Sequence, residues 1–242
     1  MLQLTEVQHL YFDLDHTLWD FEENSKRTFE KILKEHVFPF TLEEFIEVYS
    51  PYNHHYWKQY RENRITTAEL RYKRLASSFT ALAVEISDSQ ILEISEAYIQ
   101  GLSTFTALFP GTIPLLKRLQ KKYRLHIITN GFDVVQQKKI NNSGLGSFFD
   151  TITTAEAVGF KKPRPEIFAA ARGKRSVLPA QAIMIGDSLE ADILGGLQDG
   201  MQAVHFNSHQ EAEHSKCPIV YALVELEDLL LSETEKRIFT PK

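Results

Sequence analysis

Phe12-Asp13-Leu14-Asp15-His16-Thr17-Leu18 is the stretch on which the reading of this chain turns. The apolar run Leu10-Tyr11-Phe12 leads into two carboxylates two positions apart, a hydroxyl and a leucine. The pattern reads as a buried strand whose carboxyl end carries chemistry, since open α/β sheets bind their ligands just beyond such ends. Asp13 and Asp15 alternate with Leu14, so on a regular strand they share a face. Carboxylates that close repel unless a cation sits between them or one holds a proton. A hard cation such as Mg²⁺ takes oxygen ligands, commonly one or two carboxylates together with phosphate oxygens. Aspartates at strand ends also form turns and cap helices, so the rest of the chain has to decide.

The bulk numbers narrow the choice. A length of 242 residues suits one large domain or a core plus a smaller one, and 43% hydrophobic residues suffice for a proper core. The net charge of −5 argues against a polynucleotide binder, which normally shows a basic excess. Lys117-Arg118 with Lys121-Lys122 reads as the solvated face of a helix. The single cysteine, Cys217, forbids an intrachain disulfide and a thiolate zinc site, and fits a reducing compartment. The N-terminus shows no basic segment before an apolar stretch, so no signal peptide is expected. No apolar run approaches the ~18 residues of a membrane span. The expectation is a cytoplasmic protein without membrane attachment, a monomer or homodimer.

After Leu18 the pattern turns helical for about 85 residues. Asp20-Phe-Glu-Glu23 reads as a capping start, and Thr41-Leu-Glu-Glu44 as a capping box whose helix Pro51 breaks. Thr66-Thr-Ala-Glu69 and Ser87-Asp-Ser-Gln90 open two more helices. From Phe109-Pro110-Gly111 strands alternate with helices. Strands are expected at Leu125–Thr129, Phe149–Thr154, Ala182–Gly186, Ala203–Phe206 and Val220–Val224. Helices are expected around Ile113–Leu119, Val134–Ile140, Pro165–Arg175, Leu189–Gln198 and Leu229–Leu231. Alternation of this kind predicts an α/β fold, a three-layer doubly wound parallel sheet, with a helical bundle inserted after its first strand. Residues 1–19 and 106–242 make the core in this division and 20–105 the insertion, with a charged tail from Ser232.

Polar residues gather where such a sheet would collect them. Ile127-Ile128 ends in Thr129-Asn130-Gly131; Gly159-Phe-Lys-Lys162-Pro163 opens a helix; Met184-Ile185-Gly186 ends in Asp187-Ser188, with Asp192 five residues on. Together Asp13-x-Asp15-x-Thr17, Thr129-Asn-Gly, Lys162-Pro with Pro165 and Phe168, and Gly186-Asp187-x-x-x-x-Asp192 resemble, in order, the four motifs of haloacid dehalogenase superfamily phosphatases. The resemblance runs from about Val7 to Leu231, and the insertion matches that superfamily's helical cap. Asp15 speaks for phosphate, because the dehalogenases of the family normally lack the second aspartate of the first motif.

The residues suit that chemistry on their own terms. Phosphate monoesters hydrolyse very slowly, so a site for them must stabilise much negative charge. Asp13 is expected to attack phosphorus and carry an aspartyl-phosphate. Asp15 is expected to protonate the leaving alkoxide and then take a proton from water. Lys162 and Mg²⁺ neutralise phosphoryl oxygens in this reading, and Thr129, Asn130 and Gly131 complete the phosphate cradle. Of Lys161 and Lys162, the lysine directly before Pro163 matches the family motif. Asp13 and Asp187 are the carboxylate metal ligands, and the resemblance adds the Asp15 backbone carbonyl; Mn²⁺ is the alternative ion. Thr17, Ser188 and Asp192 are expected around them, Asp192 orienting Lys162 or metal-bound water.

Phe-Asp-Leu-Asp-His-Thr-Leu-Trp-Asp-Phe-Glu-x-Asn-Ser further resembles the branch of noncanonical pyrimidine 5′-nucleotidases, which implies a pyrimidine nucleoside monophosphate as substrate. His16 replaces the glycine most common there and reshapes the mouth of the site. His16, Asn24, Trp57 and Arg71 are the candidates for reading the leaving group, with Arg64 beside them. The stripe Tyr52, Tyr56, Trp57, Tyr60 serves either to stack a base or as bundle core. Asp20 and Thr106 lie near the expected hinges of a moving cap. The competing readings are a phosphatase or phosphomutase on a sugar phosphate or phosphoglycolate, and a catalytically silent relative that binds a phosphorylated ligand.

Overall fold

The computed structural model describes residues 2–232, 234 and 235. The charged tail expected from Ser232 lies otherwise outside the described residues. The chain divides into two compact units, Met1–Phe21 with Thr106–Lys242, and Glu22–Phe105.

The first unit is a six-stranded sheet with helices on both faces. Its strands are β1 (His9–Phe12), β2 (Arg124–Thr129), β3 (Thr151–Thr154), β4 (Ala182–Gly186), β5 (Gln202–Phe206) and β6 (Ile219–Val220), and every pairing is parallel. They lie in the order β3-β2-β1-β4-β5-β6. The winding therefore reverses beside β1, where β2 lies on one side and β4 on the other, and a crevice opens at their carboxyl ends. Near-continuous apolar strands follow from burial on both faces. Tyr11, Ile128 and Met184 point to one face and pack with Ile167, Phe168 and Ala171. Leu10, Phe12, Ile127, Ile183 and Ile185 point to the other and are wholly buried.

The insertion of four helices, α1 (Phe21–Lys34), α2 (Leu42–Arg61), α3 (Thr67–Ala81) and α4 (Asp88–Leu102), follows β1. The remaining helices belong to the sheet unit: α5 (Thr112–Leu119), α6 (Asp133–Asn142), α7 (Ala155–Val158), α8 (Pro165–Gly173), α9 (Gly195–Gln198) and α10 (Glu225–Leu230). Arg118 of α5 pairs with Glu227 of α10, and Lys122 with Glu235, so two members of the basic stretch are engaged rather than merely solvated. Capping boxes at Thr41–Glu44, Thr66–Glu69 and Ser87–Gln90 open α2, α3 and α4. The insertion's interior is aromatic, with Phe29 stacked on Tyr98 at 4.5 Å between centroids and Phe45 on Tyr49 at 5.6 Å. No helix among the described residues is long and apolar enough to cross a membrane.

Four expectations need correction. Pro51 does not break its helix, because α2 runs through it with Phe45, Tyr49 and Asn53 buried on one face. Packing at that i, i+4, i+8 spacing outweighs the lost backbone donor. The last strand shrinks from Val220–Val224 to Ile219–Val220, since β5 pairs with it at two positions only. The strand expected from Phe149 starts at Thr151, after a 3₁₀ turn at Gly146–Phe148. The helix expected at Leu189–Gln198 begins as a π-helical turn, Leu189–Leu194, in which the Ile193 N–H reaches back to the Ser188 carbonyl.

Candidate active site

Asp13 follows β1 directly, and its N–H bonds to the Ile185 carbonyl of β4 at 2.9 Å. The chain then tightens: Leu18 and Trp19 N–H groups both return to the Leu14 carbonyl, at 3.0 and 2.9 Å. The two aspartates therefore do not sit on a continuing strand face. The tight turn requires a left-handed residue, and His16 takes it with φ of 63°. That conformation is natural to glycine.

Asp13 is buried, and its Oδ1 lies 2.5 Å from the Lys162 ammonium. Lys162 stands on the loop between α7 and α8, just before the cis Pro163. It is itself only 2% exposed, and its three N–H groups face Asp13, Asp192 Oδ1 at 2.6 Å and the Ile128 carbonyl at 2.8 Å. Burial alone would lower the pKa of Lys162, but the Asp13 and Asp192 carboxylates outweigh it and hold the lysine charged. Asp13 is pushed up, first by burial and then by its acidic neighbours Asp192 and Asp187, against the pull of Lys162.

Asp187 follows β4 as Asp13 follows β1. Carboxylate oxygens of Asp13, Asp187 and Asp192 all lie within 4.8 Å of one another. Three buried carboxylates gather here around one buried lysine, an excess of acidic groups that a divalent cation would balance. The oxygen-only donor set suits a hard ion such as Mg²⁺. Thr17 Oγ1 donates to Asp187 Oδ1 at 3.4 Å. Ser188 caps the π-helical turn by accepting from the Ala191 N–H, while its own N–H binds Asp192 Oδ2 at 3.1 Å. That turn carries Asp192 so close over Gly186 that any Cβ there would run into its carboxylate.

Asp15 faces a different cation. Its Oδ1 pairs with Lys139 at 2.6 Å and its Oδ2 accepts from Gln136 Nε2 at 3.0 Å. Both partners come from α6, and Lys139 is buried with its ammonium 4.2 Å from the Trp19 ring centroid. Gln136 also donates to Thr129 Oγ1 at 2.7 Å, and it fills the space a side chain at residue 131 would need, so Gly131 stands there. Thr129 accepts in addition from the Gly131 N–H at 3.1 Å. The Asn130 side chain clamps Lys162, donating to its carbonyl at 3.0 Å and accepting from its N–H at 2.8 Å. Asn130 thus positions the lysine.

The sequence reading missed Gln136 and Lys139. Their only signal is a polar pair three residues apart on a helix whose inner face should be apolar. It also missed two histidines. His205 donates to the Asp187 carbonyl at 2.7 Å, and His209 Nε2 stands 3.3 Å from Asp187 Oδ2. The His16 ring lies 4.5 Å from that of His209.

The remaining candidates lie in the four-helix unit. Asn24 is buried in α1. Trp57 meets Tyr60 edge-on at 5.6 Å, Tyr52 stacks on Tyr56, and the Tyr56 hydroxyl pairs with Ser77 of α3 at 2.7 Å. Arg71 is held by Glu96 of α4 at 2.6 Å, and Arg64 by Glu62 at 2.9 Å.

A family model of haloacid dehalogenase-like hydrolases matches residues 10–206. The pyrimidine 5′-nucleotidase YjjG of Escherichia coli (strain K12) is 32% identical over 229 residues, covering 91% of this chain and 96% of that protein. The pyrimidine 5′-nucleotidase PynA of Streptococcus pneumoniae is 29% identical over 226 residues, with 91% and 92% covered. Among solved structures, the HAD-hydrolase YfnB of Bacillus subtilis, bound to magnesium, superposes with a TM-score of 0.84 at 26% identity, covering 93% of this chain and 99% of that one. The chain belongs to the haloacid dehalogenase-like hydrolases.

Proposed function

We propose that this hydrolase cleaves phosphate monoesters through an aspartyl-phosphate on Asp13, with a divalent cation, and that its substrates are pyrimidine nucleoside 5′-monophosphates. The observation that carries the reading is the junction of three buried carboxylates and one buried lysine where the sheet reverses its winding.

In this reading Asp13 Oδ2, the oxygen not held by Lys162, forms a bond to phosphorus while the bond to the ester oxygen breaks. The departing alkoxide takes a proton from the Asp15 carboxyl, and Asp15 then accepts one from the water that releases phosphate from Asp13. Lys162 and the backbone around Thr129–Gly131 meet the charge that gathers on the phosphoryl oxygens. Asp13, Asp187 and the Asp15 carbonyl would hold the cation, which supplies further neutralisation of that charge. Asp192 holds Lys162 in line, since one carboxylate oxygen touches the ammonium and the other is fixed by Ser188. The substrate class is supported by the two nucleotidases that match over nine-tenths of the chain.

Phosphate release from a panel of UMP, dUMP, dTMP, sugar phosphates and phosphoglycolate, with Mg²⁺ and after chelation, tests this. Metal-dependent release strongest on the pyrimidine nucleotides is expected, and Asp13→Asn should abolish it. Release that peaks on a sugar phosphate would keep the chemistry and discard the substrate. An active Asp13→Asn enzyme would sink the covalent route.

A further inference from the structure

A hydroxyl oxygen has two lone pairs and one hydrogen. At Thr129 both lone pairs are taken, by the Gly131 N–H at 3.1 Å and by Gln136 Nε2 at 2.7 Å. The backbone N–H can only donate. Gln136 must present its nitrogen too, because the same atom lies 3.0 Å from Asp15 Oδ2. An amide oxygen there would meet the carboxylate acceptor to acceptor. Lys139 holds the other Asp15 oxygen at 2.6 Å, which fixes the carboxylate that Gln136 meets. The two hydrogens of the amide nitrogen are therefore divided, one to Asp15 and one to Thr129. Gln136 is wholly buried, and its side chain fills the space a Cβ at Gly131 would need.

The Thr129 hydrogen is left the direction away from Gly131 and α6, and no acceptor among the described residues takes it. Thr154, the register partner of Thr129 on β3, shows the ordinary case. Its Oγ1 accepts from the Ala157 N–H at 3.2 Å and donates to Asp133 Oδ1 at 3.1 Å, so its hydrogen is spent inside the protein. Thr129 differs in where it stands. The Ile128 carbonyl beside it accepts from Lys162 at 2.8 Å, and the same ammonium touches Asp13. The hydroxyl and the Asp13–Lys162 pair thus lie together at the carboxyl ends of β1 and β2.

We propose that Gln136 is a positioning residue that makes the Thr129 hydroxyl a committed donor to an anionic oxygen in the site. By filling the second lone pair, it sets the polarity of the hydroxyl before any anion arrives, so no reorientation is needed on binding. A hydroxyl without that partner is free to turn and donate elsewhere. The same amide holds Asp15, so the proposed acid and the proposed phosphoryl donor hang on one side chain. The inference rests on the phosphatase reading only in taking the anionic oxygen to belong to a phosphoryl group.

Calorimetric titration of the full chain with inorganic phosphate, in the presence of Mg²⁺, tests this without turnover. Thr129→Val should weaken phosphate binding about tenfold or more, as loss of a hydrogen bond to a charged group does. Gln136→Met removes the donor without adding charge. It should weaken binding at least about threefold when Thr129 is present, yet by less than about 1.5-fold in the Thr129→Val background. A merely structural loss would be the same in both backgrounds. Equal losses, or none in either, would overturn the role of Gln136 while phosphate binding by the wild type leaves the phosphatase reading standing. If the wild type binds no phosphate, the phosphoryl site is itself misassigned and the proposal falls with it. Should Gln136→Met fail to fold, Gln136→Glu decides by the same comparison, since it keeps the shape and reverses the polarity. Its loss must then be at least about threefold greater with Thr129 than in the Thr129→Val background.

Discussion

Asp13 and Asp15 are two positions apart in the chain, yet each carboxylate answers to its own lysine. Lys162 holds Asp13, and Lys139, from the helix after Thr129, holds Asp15. The first pairing is legible in the sequence because Lys162 sits in a motif of fixed order. The second is not, because Gln136 and Lys139 look like the wet face of an ordinary helix. Their roles appear only when α6 is laid against the β1 turn. In the proposed reaction Asp15 matters most where the leaving oxygen is a poor one and needs its proton early. Lys139→Met leaves that carboxyl without its charged tether. The kcat/KM for an alkyl phosphate such as a nucleoside monophosphate should fall about 10–100-fold. For p-nitrophenyl phosphate, whose phenolate leaves unaided, the loss should stay under about threefold. Equal losses on both esters would show that Lys139 merely supports the fold. Asp15→Asn run beside it separates a wrong assignment of Asp15 from a wrong assignment of Lys139.

At the scale of elements, the strands were the most legible part and the transitions the least. Apolar runs at residues 125–129 and 182–186 can only be buried strands once turns bound them, and β2 and β4 fall there. Pro51 misleads because its local cost is visible in sequence, whereas the packing that overrides it is not. The π-helical turn after Asp187 is illegible for a related reason. Nothing in Leu189–Leu194 disfavours an α-helix, and the extra residue per turn is set by where Asp192 must reach. Gly186 is the other half of that device, since only a residue without Cβ leaves room for the Asp192 carboxylate. Gly186→Ala should push Asp192 off Lys162 and overpack the end of β4. A loss of about 1–3 kcal/mol in unfolding free energy is expected from overpacking. A fall in kcat of at least about tenfold, with KM changed far less, is expected from misplacing Lys162. Urea unfolding and steady-state kinetics check the two halves separately. A fully active Gly186→Ala protein would show that the Asp192–Lys162 contact is not needed.

For the molecule as a whole, two charge arrangements at opposite ends of the sheet tie stability to solution conditions. At the carboxyl end, the cation proposed to sit among the buried carboxylates would make its binding a folding term. A divalent ion at about a hundred times its dissociation constant should stabilise the protein by about 2.7 kcal/mol. Thermal melts with Mg²⁺ should show the rise, and Asp187→Asn should largely remove it. At the amino end, His126 of β2 is wholly buried. It bonds to His9 at 2.9 Å and to the Thr151 hydroxyl at 2.8 Å, and stacks on Tyr11 at 4.5 Å. Burial, with the neighbouring His9 acting in the same direction, lowers its pKa from 6.5 to about 4. Asp150 opposes the shift, while Arg175 and Arg124 add to it. The unfolded chain therefore binds a proton here before the folded one does. The contribution is complete above 6.5 and drains away as the pH falls toward about 4. By about pH 5 the loss from this one ring should reach about 2 kcal/mol. His126→Gln keeps polar atoms between His9 and Thr151 but cannot titrate. The difference in urea-unfolding free energy between wild type and this variant should shrink by that amount from about pH 7 to about pH 5. Taking the difference cancels the carboxylates at the other end, which titrate alike in both proteins. A difference that stays constant across the range would mean that His126 accepts its proton in the folded sheet as readily as in the unfolded chain.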